Sequence, residues 1–254
     1  MNNNNVYIHA ASAIDPLLNS EASTRTVLTG IPDKADATAQ VKKLVGDPLR
    51  QASHLVKMGV IGVMQCRKQI ASQLDDNTAI YVGTGLGEMD KCRGLFAQVM
   101  PPVSGMASPF DFISSSSNIS AFYAAKILGL STRNLTISQD EFSFEYALTL
   151  AMDDIRANAC NQAFVGGLDE RSVVIDYQLR RMKINDDQIL GEGCGWLYLK
   201  MEADGALACI EDVTFFHASN KNEEHWADDV ADKLGRIDGN IIFLPGFRIN
   251  DAAC

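Results

Sequence analysis

The chain has 254 residues, enough for one large domain with a substantial core. Its formal net charge of -10 argues against nucleic acid or an anionic membrane surface as a partner, because both select basic surfaces. No run of about 18 apolar residues occurs, and the start MNNNNVYIHAAS lacks a basic segment followed by an apolar core, so neither a membrane span nor export is expected and the chain reads as cytoplasmic.

After Asn2 to Asn5, which read as disordered, Val6 to Ile14 has the composition of a first strand. A long polar connection then runs through Pro16, Pro32 and Pro48 to about Arg50. The period from Gln51 to Leu74 predicts a helix, with Leu55, Met58, Gly59, Val63, Cys66 and Ile70 on one side and Lys57, Arg67 and Lys68 largely on the other. Ala79 to Val82 reads as a second strand, followed at once by Gly83-Thr84-Gly85-Leu86-Gly87. A glycine turn after a strand suggests a nucleotide site, but the third glycine of G-x-G-x-x-G falls on Glu88, and Glu88 and Asp90 would repel a phosphate. A tight turn in which backbone approaches backbone is the expected reading.

Pro101, Pro102, Gly105 and Pro109 break the next segment, and Phe110-Asp111-Phe112-Ile113 leads into Ser114, Ser115, Ser116, Ser117 and Asn118. Small hydroxyl residues there allow close approach by a ligand or another chain, and an ordinary serine-rich loop reads equally well. A helix from Ile119 to Leu128 ends at Gly129. Leu135, Thr136 and Ile137 suit a buried strand, and from Phe144 apolar residues recur at Ala147, Leu148, Ala151 and Ile155, one face of a helix.

A strand breaking sharply into a helix presents its central side chain where free N–H groups favour negative charge, a common place for a nucleophile. The turn here holds Gln139, Asp140 and Glu141, and no cysteine. Ser138 and Glu141 have the spacing of a capping box, which implies no chemistry; alternatively Glu141 or Asp140 is an acid or base in a pocket.

Ala163 to Val165 is a further strand, ending in Gly166-Gly167-Leu168-Asp169. Arg180, Arg181 and Lys183 read as a solvated basic turn, or as a cluster that could meet an acidic partner. Gly191-Glu192-Gly193-Cys194-Gly195 turns into Trp196 to Met201, which is expected to pair with Ala206 to Phe216 as a hairpin around Asp204-Gly205. A helix near Glu224 to Leu234 and a strand Ile241 to Leu244 follow. The alternation indicates an α/β fold, a mixed sheet with helices on its faces. Cys66, Cys92, Cys160, Cys194, Cys209 and Cys254 lie far apart, with no C-x-x-C pair and no histidine at ligand spacing, so no metal, disulfide framework or other cofactor is indicated.

Four stretches in order, YVGTGLGEMD, SPFDFISSSSNISAFYAAKILGLSTRNLTIS, AFVGGLDE and GEGCGWLYLKME, resemble the landmarks of the ketosynthase family. The resemblance spans about Val6 to Asp212. It implies a thiolase-like fold, specifically the first of its two halves, with a mostly parallel five-stranded sheet. The whole chain would then be a single domain in which 220–254 is a vestige of the second half.

Laid on the family's pattern, NLTISQDEFS places Glu141, to within a residue, where the acyl-accepting cysteine belongs. Gly246-Phe247-Arg248 stand near the first catalytic histidine's position, the second would lie beyond Cys254, and His9, His54, His217 and His225 all sit elsewhere. The resemblance therefore implies a subunit that does not condense alone.

The short form is similar to the chain-length-factor-like subunits of aryl polyene synthesis. This implies a heterodimer with an active ketosynthase and, through it, contact with an acyl carrier protein. Phe110, Phe112 and Ser114 to Asn118 are then expected to face the acyl pocket or the interface, and Leu135, Thr136, Ile137 and Ser138 to lie at the interface. Losing the second half would also uncover a helix layer and favour obligate association. The rival readings are a malonyl-carrier-protein decarboxylase using Glu141, acyl transfer through Ser143 with no histidine placed as its base, and an acyl-binding scaffold.

Overall fold

A computed structural model describes residues 5–15, 36–101, 105–172 and 191–215. Contacts divide the chain into Met1–Glu211 and Asp212–Cys254, and only 212–215 of the second unit are described. The basic turn Arg180 to Lys183, the expected helix Glu224 to Leu234, the strand Ile241 to Leu244, Gly246 to Arg248, His217 and His225 lie outside the described residues.

The first unit is built on six strands: β1 (Val6–Ile14), β2 (Thr78–Gly83), β3 (Asn134–Ile137), β4 (Gln162–Asp169), β5 (Gly193–Lys200) and β6 (Ala208–Ile210), in the order β3-β2-β4-β5-β1-β6. The α/β class with a mixed sheet is as expected; the details differ. Among the described residues there are six strands rather than five, and of their pairings those of β2 with β3 and β4 are parallel. The pairings β4–β5, β5–β1 and β1–β6 are antiparallel.

The expected terminal hairpin does not form, because β1 lies between its two arms. β1 is long enough to pair along the whole of β5, from Tyr7 opposite Lys200 to Ile14 opposite Cys194, with a bulge between Ile8 and Ala10. The chain leaving β5 therefore crosses β1, fixed by the Glu202 carbonyl against His9 Nε2 at 2.8 Å and by Leu207 N–H donating to the Ile8 carbonyl at 2.7 Å.

Helices cover both faces of the sheet. On one side lie α2 (His54–Lys68) and α5 (Ile119–Leu128), with α1 (Ala37–Val45) packed outside α2; on the other lies α6 (Ser143–Arg156). Strand alternation divides the core accordingly. Ile80, Val82, Phe164, Leu168, Trp196 and Tyr198 pack with α1, α2 and α5. The intervening Ala79, Tyr81, Ala163 and Val165 are buried on the α6 side.

α2 is shorter than its period suggested and buried nearly all round, at Val56, Val60 and Ile61 as well as on the expected face. The cause is α1, which occupies part of the stretch read as a polar connection. Asp36 caps it by accepting Thr38 N–H at 2.8 Å, and Val41 is buried beneath it. A Cβ on Gly62 would lie 2.5 Å from Cys194 Sγ, so a missing side chain is what lets α2 approach β5.

Two further helices, α3 (Met89–Val99) and α4 (Pro109–Ser114), fill the region read as broken by proline. Ser108 caps α4 and Pro109 takes its first turn, where a missing N–H costs nothing. Neither helix buries a residue. β3, expected to be buried, is instead the sheet edge, and Leu135 is 40% exposed. Among the described residues it pairs with β2 on one side only, leaving its other edge without a described strand partner.

Candidate functional site

The strand-to-helix junction sits where β2, β3 and β4 end together. Beyond Ile137 come Ser138 and Gln139, a 3-10 turn Asp140–Phe142, and then α6. Asp140 has φ +49°, a left-handed conformation that asparagine and aspartate adopt more readily than other side chains. The sharp elbow is therefore present, and Asp140 takes its strained position.

α6 begins at Ser143, four residues after the Gln139 start that a Ser138–Glu141 capping box requires. Ser143 does the work instead: its Oγ accepts Gln139 N–H at 2.8 Å and donates to the Asp140 carbonyl at 2.6 Å. The buried hydroxyl thus closes the turn onto itself and is committed to backbone rather than held as a nucleophile. At the far end of α6, Asp154 accepts from the Tyr81 hydroxyl and from Arg133, which pins the helix to β2 and to the approach to β3. Burial works against the Asp154 charge, but those two donors hold its carboxyl below the ordinary range.

The glycine turn lies directly against the elbow. A Cβ on Gly83 would sit 2.5 Å from the Ser143 carbonyl carbon and 2.6 Å from Phe144 N, and one on Gly85 3.1 Å from the Asp140 carbonyl oxygen. The amides that a phosphate would need are already occupied. Asp169, at the end of β4, accepts from Thr84 Oγ1 at 2.9 Å, Gly85 N–H at 3.0 Å and Leu86 N–H at 2.8 Å.

Burial raises the Asp169 carboxyl, while those hydrogen bonds draw it the other way. Asp169→Asn would turn an amide donor toward these N–H groups. It should cost about 2 kcal/mol or more by urea unfolding, the scale of hydrogen bonds to a charged group; unchanged stability would mean the loop holds itself.

No thiol stands at the junction. Among the described cysteines Cys66, Cys160 and Cys194 are buried, and burial pushes Cys66 and Cys194 up to about 12. His54 is packed rather than free, its Nε2 2.9 Å from Glu192 Oε1. Among the described residues no group of three or more His, Cys, Asp or Glu could hold a metal ion, and no helix is long and apolar enough to cross a membrane.

The residues singled out from sequence fall into neighbouring places. Glu141 lies in the 3-10 turn beside Asp140. Phe110 and Phe112 project from α4, 68% and 66% exposed. Ser114 and Ser115 are half-buried; Ser116, Ser117 and Asn118 are exposed, with Ser117 Cβ 3.8 Å from a Cβ built on Gly87. Thr136 and Ile137 are half-buried, and Ser138 is exposed like Leu135.

Sequence reasoning missed Asp169 as the lock on the glycine turn. It also missed α3, whose Phe96 and Val99 are exposed, as are Met100 just after it and Met106, Phe110, Phe112 and Ile113. α3 and α4 are joined by Gln98, which donates to Asp111 Oδ2 at 2.7 Å and accepts Ser108 N–H at 2.9 Å. A period of apolar residues from Met89 was the available signal.

No family model matches the chain, and no curated protein matches it. Solved structures do. The ishigamide ketosynthase/chain length factor superposes with a TM-score of 0.63 at 16% identity, over 80% of this chain and 63% of that one. A type II polyketide synthase acyl-carrier protein in complex with its ketosynthase gives 0.58 at 18% identity, over 77% and 62%. A ketosynthase in complex with its chain length factor from Xenorhabdus doucetiae gives 0.56 at 15% identity, over 79% and 80%.

Likeness at this identity is likeness of fold. The chain has the thiolase-like ketosynthase fold, and it spans less than two thirds of the length of the first two neighbours.

Proposed function

We propose that the chain is a non-catalytic, chain-length-factor-like subunit that pairs with an active ketosynthase, stabilises it and helps shape the tunnel in which a carrier-protein-bound chain grows. The observation that carries this reading is the set of large apolar side chains left uncovered on α3, α4 and α5, among them Phe96, Val99, Phe110, Phe112 and Phe122. A surface of that kind is an interface awaiting a partner. The junction supports the non-catalytic half of the reading, because its elbow carries Asp140 and Glu141 where condensation needs a thiolate.

In this assignment the partner supplies the cysteine and the carrier protein meets the complex rather than this chain alone. The family resemblance extends the assignment to aryl polyene synthesis in the cytoplasm, with 220–254 as the remnant of a second half. The test is co-expression with ketosynthases encoded beside it, followed by mass determination. A one-to-one complex is expected; a solitary chain that ignores every ketosynthase would overturn the proposal. Within the complex, Phe112→Ala should alter the length of the product while assembly persists. Unchanged product lengths would remove Phe112 from the tunnel wall.

A further inference from the structure

The start of α3 holds a buried acid that the junction does not use. Glu88 is 2% exposed and sits where the starts of α2 and α3 meet the segment leaving β4. From α2, Ser53 Oγ donates to Glu88 Oε1 at 2.6 Å while accepting Val56 N–H at 3.1 Å, so the residue that caps α2 also grips Glu88. Glu88 Oε2 is shut off from solvent and has no hydrogen-bond partner.

The charged and titratable neighbours are Asp90, Lys91 and the Cys92 thiol from α3 and Glu170 from the segment after β4. Asp90 is itself tied to that segment through Ser172 Oγ at 2.6 Å. Among the described residues, an ionised Glu88 would place a buried oxygen without a hydrogen bond beside Asp90 and Glu170 and against Lys91, so burial favours the neutral acid.

α3 and α4 depend on such polar ties because neither buries a residue. The links from Gln98 and from Cys92 Sγ, which donates to the Ser115 carbonyl at 3.3 Å, join α3 to α4, so the two move as a pair. Releasing the pair breaks no apolar core.

We propose that Glu88 is a proton-linked latch: as the neutral acid it lets α3 and α4 close on the rest of the unit, and its ionisation releases them. Burial, ahead of the opposing Ser53 hydrogen bond, pushes its carboxyl from 4.5 up to about 7. A raised acid favours the closed state fully below 4.5; that preference is lost as pH rises toward 7 and is level above it. If α3 and α4 carry the docking surface, the latch also makes partner binding depend on pH, a consequence that rests on the proposed function.

Hydrogen exchange of the full chain without a partner tests the latch separately from the partner assignment. Between pH 5 and 8, corrected for intrinsic exchange and referred to α6 and β4, protection of α3 and α4 should fall by about a hundredfold, the size this linkage sets. Glu88→Gln should abolish that fall. Asp90→Asn, which removes a neighbouring charge and lowers the Glu88 pKa, should shrink it. Flat protection in the wild type, or the same fall in Glu88→Gln, would overturn the latch.

Discussion

Alanine at Gly83 should lower the stability of the chain by about 3 kcal/mol, a large part of what a domain has to lose. The added carbon would meet the Ser143 carbonyl carbon at 2.5 Å and Phe144 N at 2.6 Å, both of them backbone. A flexible side chain could swing aside; the first turn of α6 cannot. To make room, α6 would have to lift from the end of β2, taking the elbow at Asp140 and the bonds Ser143 makes across it. The contrast is Gly94, inside α3, where a Cβ meets nothing within 4 Å. Gly94→Ala should stabilise by about 0.5 to 1 kcal/mol, because alanine loses less conformational freedom in a helix. Urea midpoints at constant m-value decide both, and a Gly83→Ala loss below about 0.5 kcal/mol would mean that junction and glycine turn are not in register as described.

Local patterns were legible where one element determines its own form. β1 is bounded as its composition suggested, and α5 runs from Ile119 to Leu128 and stops at the left-handed Gly129. Features that depend on distant neighbours were not legible. Leu135, Thr136 and Ile137 have the composition of a buried strand whether or not a second strand arrives on the far side, so the edge position of β3 follows from topology alone. The same holds for β6, whose partner is β1, nearly the whole chain away. α1 and α3 were missed because the prolines near them, Pro48 after α1 and Pro101 and Pro102 after α3, read as breaks, although α3 carries apolar residues at Met89, Cys92, Phe96 and Val99.

At the site, the residue types of the turn were readable, but its bonding was not. Ser138 and Glu141 have capping spacing, yet Ser143 closes the turn, because the 3-10 turn sets the helix start later than the pattern implied. Asp169 gave no signal as a lock, since nothing local marks an acid whose hydrogen bonds reach residues 83 to 85 positions away.

The double substitution Phe110→Asp, Phe112→Asp should abolish pairing with the ketosynthase while leaving this chain folded. Both rings are more than half exposed, and α4 buries no residue, so replacing them removes nothing from the core. In the complex the same rings would be anchors. Truncating a central aromatic anchor costs about 2 kcal/mol or more, so two together should weaken binding by roughly a thousandfold, and placing carboxylates in an apolar contact adds desolvation. Lys43→Glu, exposed on α1, which packs on α2, also changes charge and should bind as the wild type does. Titration of the purified ketosynthase with each variant gives the affinities, and thermal unfolding checks the fold. If the double variant is stable and still binds at full strength, the partner does not sit on α4. If it unfolds, the rings are structural and their exposure has another cause.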